Sequence, residues 1–275
     1  MKINFKTLVA GAAITTVLFS CQKENKTQTT VTDNNTVPVE VINQIQAQGF
    51  STEGVVKVSG GYRVENDIFL SDEALKNPAI GPVLRVGDEE QYHTTNLVTA
   101  LPRVITVSIS GFSDAVFSNG LDIAVSRYNA LGMRLTFQRV ASAGNIQIVG
   151  ADLGGGGILG QSSGFPTSTG NPASPITLNS RPGTFGTNPN VNWIATIIAH
   201  EMGHTIGFRH TDYKNRAYSC GGFKSNEGSA GVGAIWIPGT PSSPRDPNSW
   251  MLACTDGSDR PFNANDVIAL NYLYH

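Results

Sequence analysis

The chain has 275 residues, 40% of them apolar and 15% charged, and a formal net charge of −2. That is enough to bury one sizeable core and leave a small appendage. Near-neutral charge, with no basic cluster beyond the first six residues, excludes an electrostatic footprint for nucleic acid.

Read from the N-terminus, Lys2 and Lys6 precede a mostly apolar stretch from Leu8 to Phe19 that is too short to span a bilayer comfortably. It ends in Leu18-Phe19-Ser20-Cys21, which resembles the lipobox of bacterial lipoproteins. The resemblance implies a signal peptide over 1–20 and lipid on Cys21. The chain would then be exported and held to a membrane by that lipid, at the outer membrane or surface of a Gram-negative cell. Gln22-Lys23-Glu24-Asn25 resembles the tags that send such lipoproteins to the surface. Residues 21–38 are almost devoid of apolar side chains and are expected to be a disordered tether.

Residues 39–101 are expected to be ordered but minor. They hold a short helix through Val41, Ile42 and Ile45, one strand-like run from Tyr62 to Leu70, and Pro and Gly breaks at 78–82. From 102 to 275 the pattern is that of a mixed α+β domain. Val104 to Ile109 alternates as a β-branched strand. Ser113 can cap a helix whose apolar positions Phe117, Leu121, Ala124, Tyr128 and Leu131 recur at helical spacing. Arg134 to Val140 and Asn145 to Val149 supply two more strands. A Gly- and Pro-rich stretch follows, in which Gly154 to Gly157 lacks the ending of a phosphate loop. Nothing beyond Asp152 and this Gly run points to calcium.

Asn188-Pro189 predicts a helix start, and Val191 to Ile206 reads as a largely buried helix. His200 and His204, four residues apart, project from one face, where two imidazoles can reach a single ion. Glu201 lies about 100° around the helix, placed for a metal-bound water rather than the metal. Gly207 can take positive φ, end the helix and return His210 as third ligand. Three nitrogens with an open fourth position mark a catalytic rather than structural Zn²⁺ site. At ordinary residue frequencies the extended pattern arises by chance in roughly one chain in 10⁵ of this length, so it is treated as chemistry. If Cys21 carries lipid, Cys220 and Cys254 remain for a disulfide in an oxidising compartment, two free thiols being the alternative.

His200-Glu201-Met202-Gly203-His204-Thr205-Ile206-Gly207-Phe208-Arg209-His210 resembles the metzincin zinc peptidases, and the nearest family is the dual-action HEIGH metallopeptidases; Met202 stands where that name has Ile. The likeness covers about 102–275. It implies a metzincin-like catalytic domain with a twisted mixed β-sheet, an active-site helix and a C-terminal helix over Asn265 to Tyr274. It further implies a Met-turn at Ser249-Trp250-Met251 and a substrate-binding edge strand at Gly157, Ile158, Leu159 and Gly160 (the run Gly156 to Gly160 carries the likeness). The implied activity is hydrolysis of extended peptide or protein by a zinc endopeptidase, with Glu201 as base. Residues 39–101 would be a propeptide, because Val64-Glu65-Asn66-Asp67-Ile68 resembles a segment of related precursors whose Asp occupies the open metal position; Asp67 is thus a candidate latency switch. A competing reading is a catalytically silent surface lipoprotein that uses the metal fold to bind protein or glycan. Glu201, which such a module would not need, favours the enzyme.

Overall fold

A computed structural model of the protein describes residues 37–76, 91–228, 231–241 and 246–275. The signal segment, Cys21, nearly all of the tether and the breaks at 78–82 lie outside the described residues. Residues Asn35–His275 form one compact unit.

In chain order the elements are α1 (Val39–Ala47), β1 (Val56–Val58), β2 (Gly61–Val64), β3 (Ile68–Ser71), α2 (Asp72–Lys76), β4 (Tyr92–His93), β5 (Arg103–Ser110), α3 (Ala115–Asn129), β6 (Leu135–Arg139), β7 (Ile146–Ala151), β8 (Gly160–Ser162), β9 (Ile176–Asn179), α4 (Val191–Ile206), α5 (Ala217–Cys220), β10 (Ile235–Trp236) and α6 (Ala264–Tyr274). Eight strands make one mixed sheet in the order β1-β2-β3-β8-β9-β7-β5-β6, and β4 pairs with β10. Strands β6, β5, β7 and β9 run parallel, β8 is antiparallel to β9, and the hairpin β2–β3 joins through a parallel pairing of Ile68 with Ser162.

The parallel strands are apolar on their core side because helices cover that face. Ile105, Val107, Ile146 and Ile148 pack with Leu121 and Ala124 of α3, Ile198 and Met202 of α4, and Leu270 of α6 in one buried cluster. Tyr128 of α3 donates to the carbonyl of Ala199 at 2.8 Å, which gives the buried phenol its partner and ties α3 to α4 next to His200. Residues before 77 build a smaller cluster from Ile45, Phe50, Tyr62, Val64, Ile68, Leu70 and Leu75, against which Phe165 and Val232 pack.

Several expectations need correction. The run from Tyr62 to Leu70 is a hairpin, because Glu65 and Asn66 take φ of 51° and 70° and turn the chain. Helix α3 is capped by Asp114, not Ser113; its carboxylate accepts the amide of Val116. Helix α4 is capped by Asn190, whose side chain accepts the amides of Asn192 and Trp193, so Asn188 and Pro189 precede the cap. Of the four residues read as edge strand, Gly160 alone lies in β8. Gly157 has φ of 82°, which a strand does not accommodate. Finally, Gln91 to Leu101 packs on the later part of the chain: the amide of Arg209 donates to Tyr92 O, that of Thr94 to Gly207 O, and that of Val98 to the Tyr274 hydroxyl.

Cys220 and Cys254 are bonded, with Cα atoms 5.1 Å apart and a separation of 34 positions in sequence. The bond joins the segment after His210 to the segment after Met251. Replacing both cysteines by serine is expected to lower unfolding free energy by about 3–4 kcal/mol in the chain-entropy account. Urea denaturation of the two proteins side by side measures this.

Candidate metal centre

Helix α4 carries the first two histidines, and Gly207, with φ of 111°, ends it in the left-handed conformation. The amide of Phe208 then donates to Gly203 O, and the chain turns so that His210 faces the helix. His204 and His210 are buried, and His200 is slightly exposed.

The ring hydrogen bonds decide what this cluster can hold. His200 Nδ1 donates to Trp250 O and His204 Nδ1 donates to Phe208 O, both at 2.9 Å. A carbonyl can only accept, so each ring carries its proton on Nδ1 and directs an Nε2 lone pair inward. Those two Nε2 atoms stand 3.1 Å apart. Two lone pairs at that distance repel each other unless a cation lies between them. His210 Nδ1 donates to the buried carboxylate of Glu227 at 2.6 Å, the carboxylate–histidine arrangement that orients a metal ligand and raises its basicity. Asp67 completes the group. Its Oδ2 is 2.8 Å from His210 Nε2, 3.6 Å from His200 Nε2 and 3.9 Å from His204 Nε2. One ligand atom from each of Asp67, His200, His204 and His210 lies within 4.8 Å of all the others. Three imidazole nitrogens and one carboxylate oxygen make a donor set that suits Zn²⁺.

Protonation follows the packing. Burial alone would raise the pKa of Asp67, but the charge of His210 and the hydrogen bond from its ring hold the carboxyl well below the usual carboxylate range. Burial, and then the charge of Asp67, push Glu201 well above its ordinary value. Burial lowers His204, helped by its neighbours His200 and His210. For His210 burial is overcome by Asp67 and Glu227, which raise it well above the ordinary value.

Glu201 is buried, and its Oε2 has no hydrogen-bond partner. A methyl group on Gly160 would lie 2.9 Å from Glu201 Oε1, so β8 passes directly over this carboxylate. A cavity of about 530 Å³ opens beside it, lined by Thr196, Ile197, His200, Leu252 and Arg260, with Arg63, Asn66 and Asp67 of the hairpin closing it. Ile158 and Leu159 also line this cavity, and the disulfide borders it through Cys254. Met251 is fully buried, and a methyl on Gly203 would lie 2.6 Å from its sulfur. Gly203 therefore sits inside a helix, at a cost of about 1 kcal/mol in propensity, because only a missing side chain admits the Met251 sulfur against α4 at that point.

Sequence reasoning missed three participants. Glu227 is one. Glu65 is another: both its oxygens accept from Arg209 Nη2, at 3.0 and 3.2 Å, and neither residue is exposed beyond 1%. Glu65, His210 and Glu227 also gather closely enough to suggest a second metal. Arg209 and Arg216, 3.5 and 3.2 Å from Glu227, already supply the positive charge there, so this group is an ion-pair cluster. The third is Asp266, which accepts from Ser249 Oγ and the amide of Trp250. Long sequence separation hides all three, although the buried position of Arg209 next to a ligand is the kind of signal that calls for a carboxylate.

No curated protein matches the chain. Solved structures similar to it include two of myroilysin. One has 18% identity over 42% of this chain and 45% of that one, with a TM-score of 0.31; the chain thus spans less than half of its length. The other has 14% identity over 72% of this chain and 92% of that one, with a TM-score of 0.39. The sequence profile described as dual-action HEIGH metallo-peptidase matches residues 62–274, a span that holds Asp67, the three histidines, Glu201 and Met251, and by that match the chain belongs to this family of metallopeptidases.

Proposed function

We propose that the protein is a zinc endopeptidase of metzincin type, exported as a lipoprotein and held latent by its own N-terminal segment. The observation that carries this reading is the convergence of three imidazole Nε2 atoms beside a buried, half-unpartnered Glu201. His200, His204 and His210 would hold the ion. Zn²⁺ bound there supplies Lewis acidity, which polarises a peptide carbonyl and lowers the pKa of water toward about 7. Glu201 takes a proton from the attacking water at its unpartnered Oε2 and hands it to the leaving amide nitrogen. Its high proton affinity in this buried position fits that second task. Strand β8 offers its backbone to an extended substrate, which gives affinity with little sequence preference.

In the full chain both places are taken. Asp67 lies on the histidines, and its carbonyl accepts the amide of Ser162, so β3 occupies the strand that substrate would pair with. The buried Glu65–Arg209 pair anchors the same loop. The inhibitory segment is accordingly 39–76, and residues from Gln91 on stay with the catalytic domain, to which they are hydrogen bonded at Gly207, Arg209 and Tyr274. Cys21 would carry the lipid, with 1–20 removed and 21–38 as tether, and the substrates would be extracellular proteins.

The test is cleavage of a short peptide by the full chain bearing Asp67→Ala, with and without Glu201→Ala. Cleavage by the first and none by the second is the expected pair. If neither cleaves while both bind zinc, the enzyme reading falls and a binding role replaces it.

A further inference from the structure

One buried carboxylate takes no part in the chemistry above. Asp266, in the first turn of α6, is fully buried, and four donors converge on it. Its Oδ1 accepts from Gln91 Nε2 at 2.6 Å and Ser249 Oγ at 3.0 Å. Its Oδ2 accepts the amides of Trp250 at 3.3 Å and Asn263 at 3.0 Å. The bond from Asn263 belongs to a capping box and accounts for the start of α6. The other three have nothing to do with capping. They lead toward the histidines.

Ser249 is the branching point. Its hydroxyl also meets Thr211 Oγ1 at 2.6 Å, Gln91 Nε2 at 3.1 Å and the amide of Met251 at 3.2 Å. Thr211 follows His210, and its own amide donates to Met251 O at 2.8 Å. Trp250, whose amide Asp266 holds, presents the carbonyl that accepts from His200 Nδ1. The first and third histidines are thus tied to one carboxylate through two short paths, His200 by way of Trp250 and His210 by way of Thr211 and Ser249. A cap at the protein surface would do the work of α6 with no desolvation, whereas burial here raises the pKa of Asp266 to about 7.

We propose that Asp266, acting through Ser249, is a positioning residue that sets the spacing of His200 and His210 and thereby the affinity of the metal centre. For its metal arm this rests on the zinc reading above. All four groups facing Asp266 are donors, so Asp266→Asn turns one acceptor oxygen into an amide that two of them cannot use. Ser249→Ala removes the branching hydroxyl with little change of volume. Asp246→Asn is the control. Asp246 accepts from the side chains of Asn263 and Asn265 and so supports the same helix start, but its side chain does not bond to Ser249 or Trp250.

The experiment uses the full chain and two readouts. In the metal-free protein, the hydrogen-bonded ring N–H signal of His200 is followed by ¹H–¹⁵N NMR. In the Co²⁺-loaded protein, the visible absorption band and the affinity by chelator competition are measured, with thermal melting alongside. Asp266→Asn and Ser249→Ala are expected to broaden or lose the His200 signal, shift the Co²⁺ band and weaken Co²⁺ binding about ten- to a hundredfold. Asp246→Asn is expected to lower the melting temperature while leaving both signatures in place. If all three variants lower the melting temperature alike and none moves the His200 signal or the Co²⁺ affinity, Asp266 is a helix anchor only and the proposal is overturned. If the wild type takes up no Co²⁺, the zinc reading fails, and the His200 signal still decides the positioning role.

Discussion

Glu201→Ala, introduced into the full chain together with Asp67→Ala, is expected to leave one equivalent of zinc bound while kcat for peptide cleavage falls by about 10²- to 10⁴-fold, the span of general acid–base catalysis. The two effects separate because Glu201 is not among the residues whose ligand atoms converge. It lies one position along α4 from His200, on a different bearing, with Oε1 under Gly160 and Oε2 without a partner. In the proposed mechanism, removing it takes away the proton carrier and leaves the nitrogens alone. Zinc analysis of the same preparation used for the assay distinguishes this from simple loss of the ion. A Glu201→Ala chain that cleaves at the parent's rate would mean that another group moves the proton.

Asp67→Ala on its own is expected to raise cleavage of a short peptide by the full chain about ten- to a hundredfold. The carboxylate makes a charged hydrogen bond to His210 at 2.8 Å and stands within 4 Å of the other two histidines. A hydrogen bond to a charged group contributes about 1.5–3 kcal/mol, and that is the advantage substrate must overcome while Asp67 is present. Release of the carboxylate does not release the hairpin, which keeps its pairing with β8 and its Glu65–Arg209 anchor. The increase should therefore appear with short peptides before it appears with folded proteins. Unchanged rates for both substrates would remove Asp67 from any regulatory account.

Much of the centre could be read from the sequence because its parts are local. Four residues between His200 and His204 on a helix, and a glycine placed to end that helix before His210, need no tertiary information. Strand β5 and helix α3 were legible for the same reason, since their apolar positions follow a period of two or of three to four; α4 was read from its capping run and near-continuous burial, and α6 from the family likeness. What escaped depends on distance or on ambiguous punctuation. Glu227 lies 17 residues from His210, and Glu65 lies 144 from Arg209. No spacing rule connects either pair. The hairpin was concealed because its loop, Glu65-Asn66-Asp67, contains neither Gly nor Pro, so the apolar pattern of the two strands reads as one run. At the start of α4 the run Asn188-Pro189-Asn190 offers two equivalent capping side chains, and only the bonds to Asn192 and Trp193 choose between them. The likeness around Gly156 to Gly160 placed the strand three residues early, because Gly156 and Gly157 turn with positive φ before the chain becomes extended.

The most direct measurement is the zinc content of the full chain, compared with that of His204→Ala, by elemental analysis after dialysis against a weak chelator. His204 is buried, its ring is fixed by Phe208 O, and its Nε2 faces that of His200. One zinc per chain in the wild type and less than about a tenth as much in the variant is the predicted result, since loss of His204 removes one of three pre-positioned imidazoles and leaves His200, His210 and Asp67 around the space it filled. Zinc absent from the wild type, or bound equally well without His204, would contradict it.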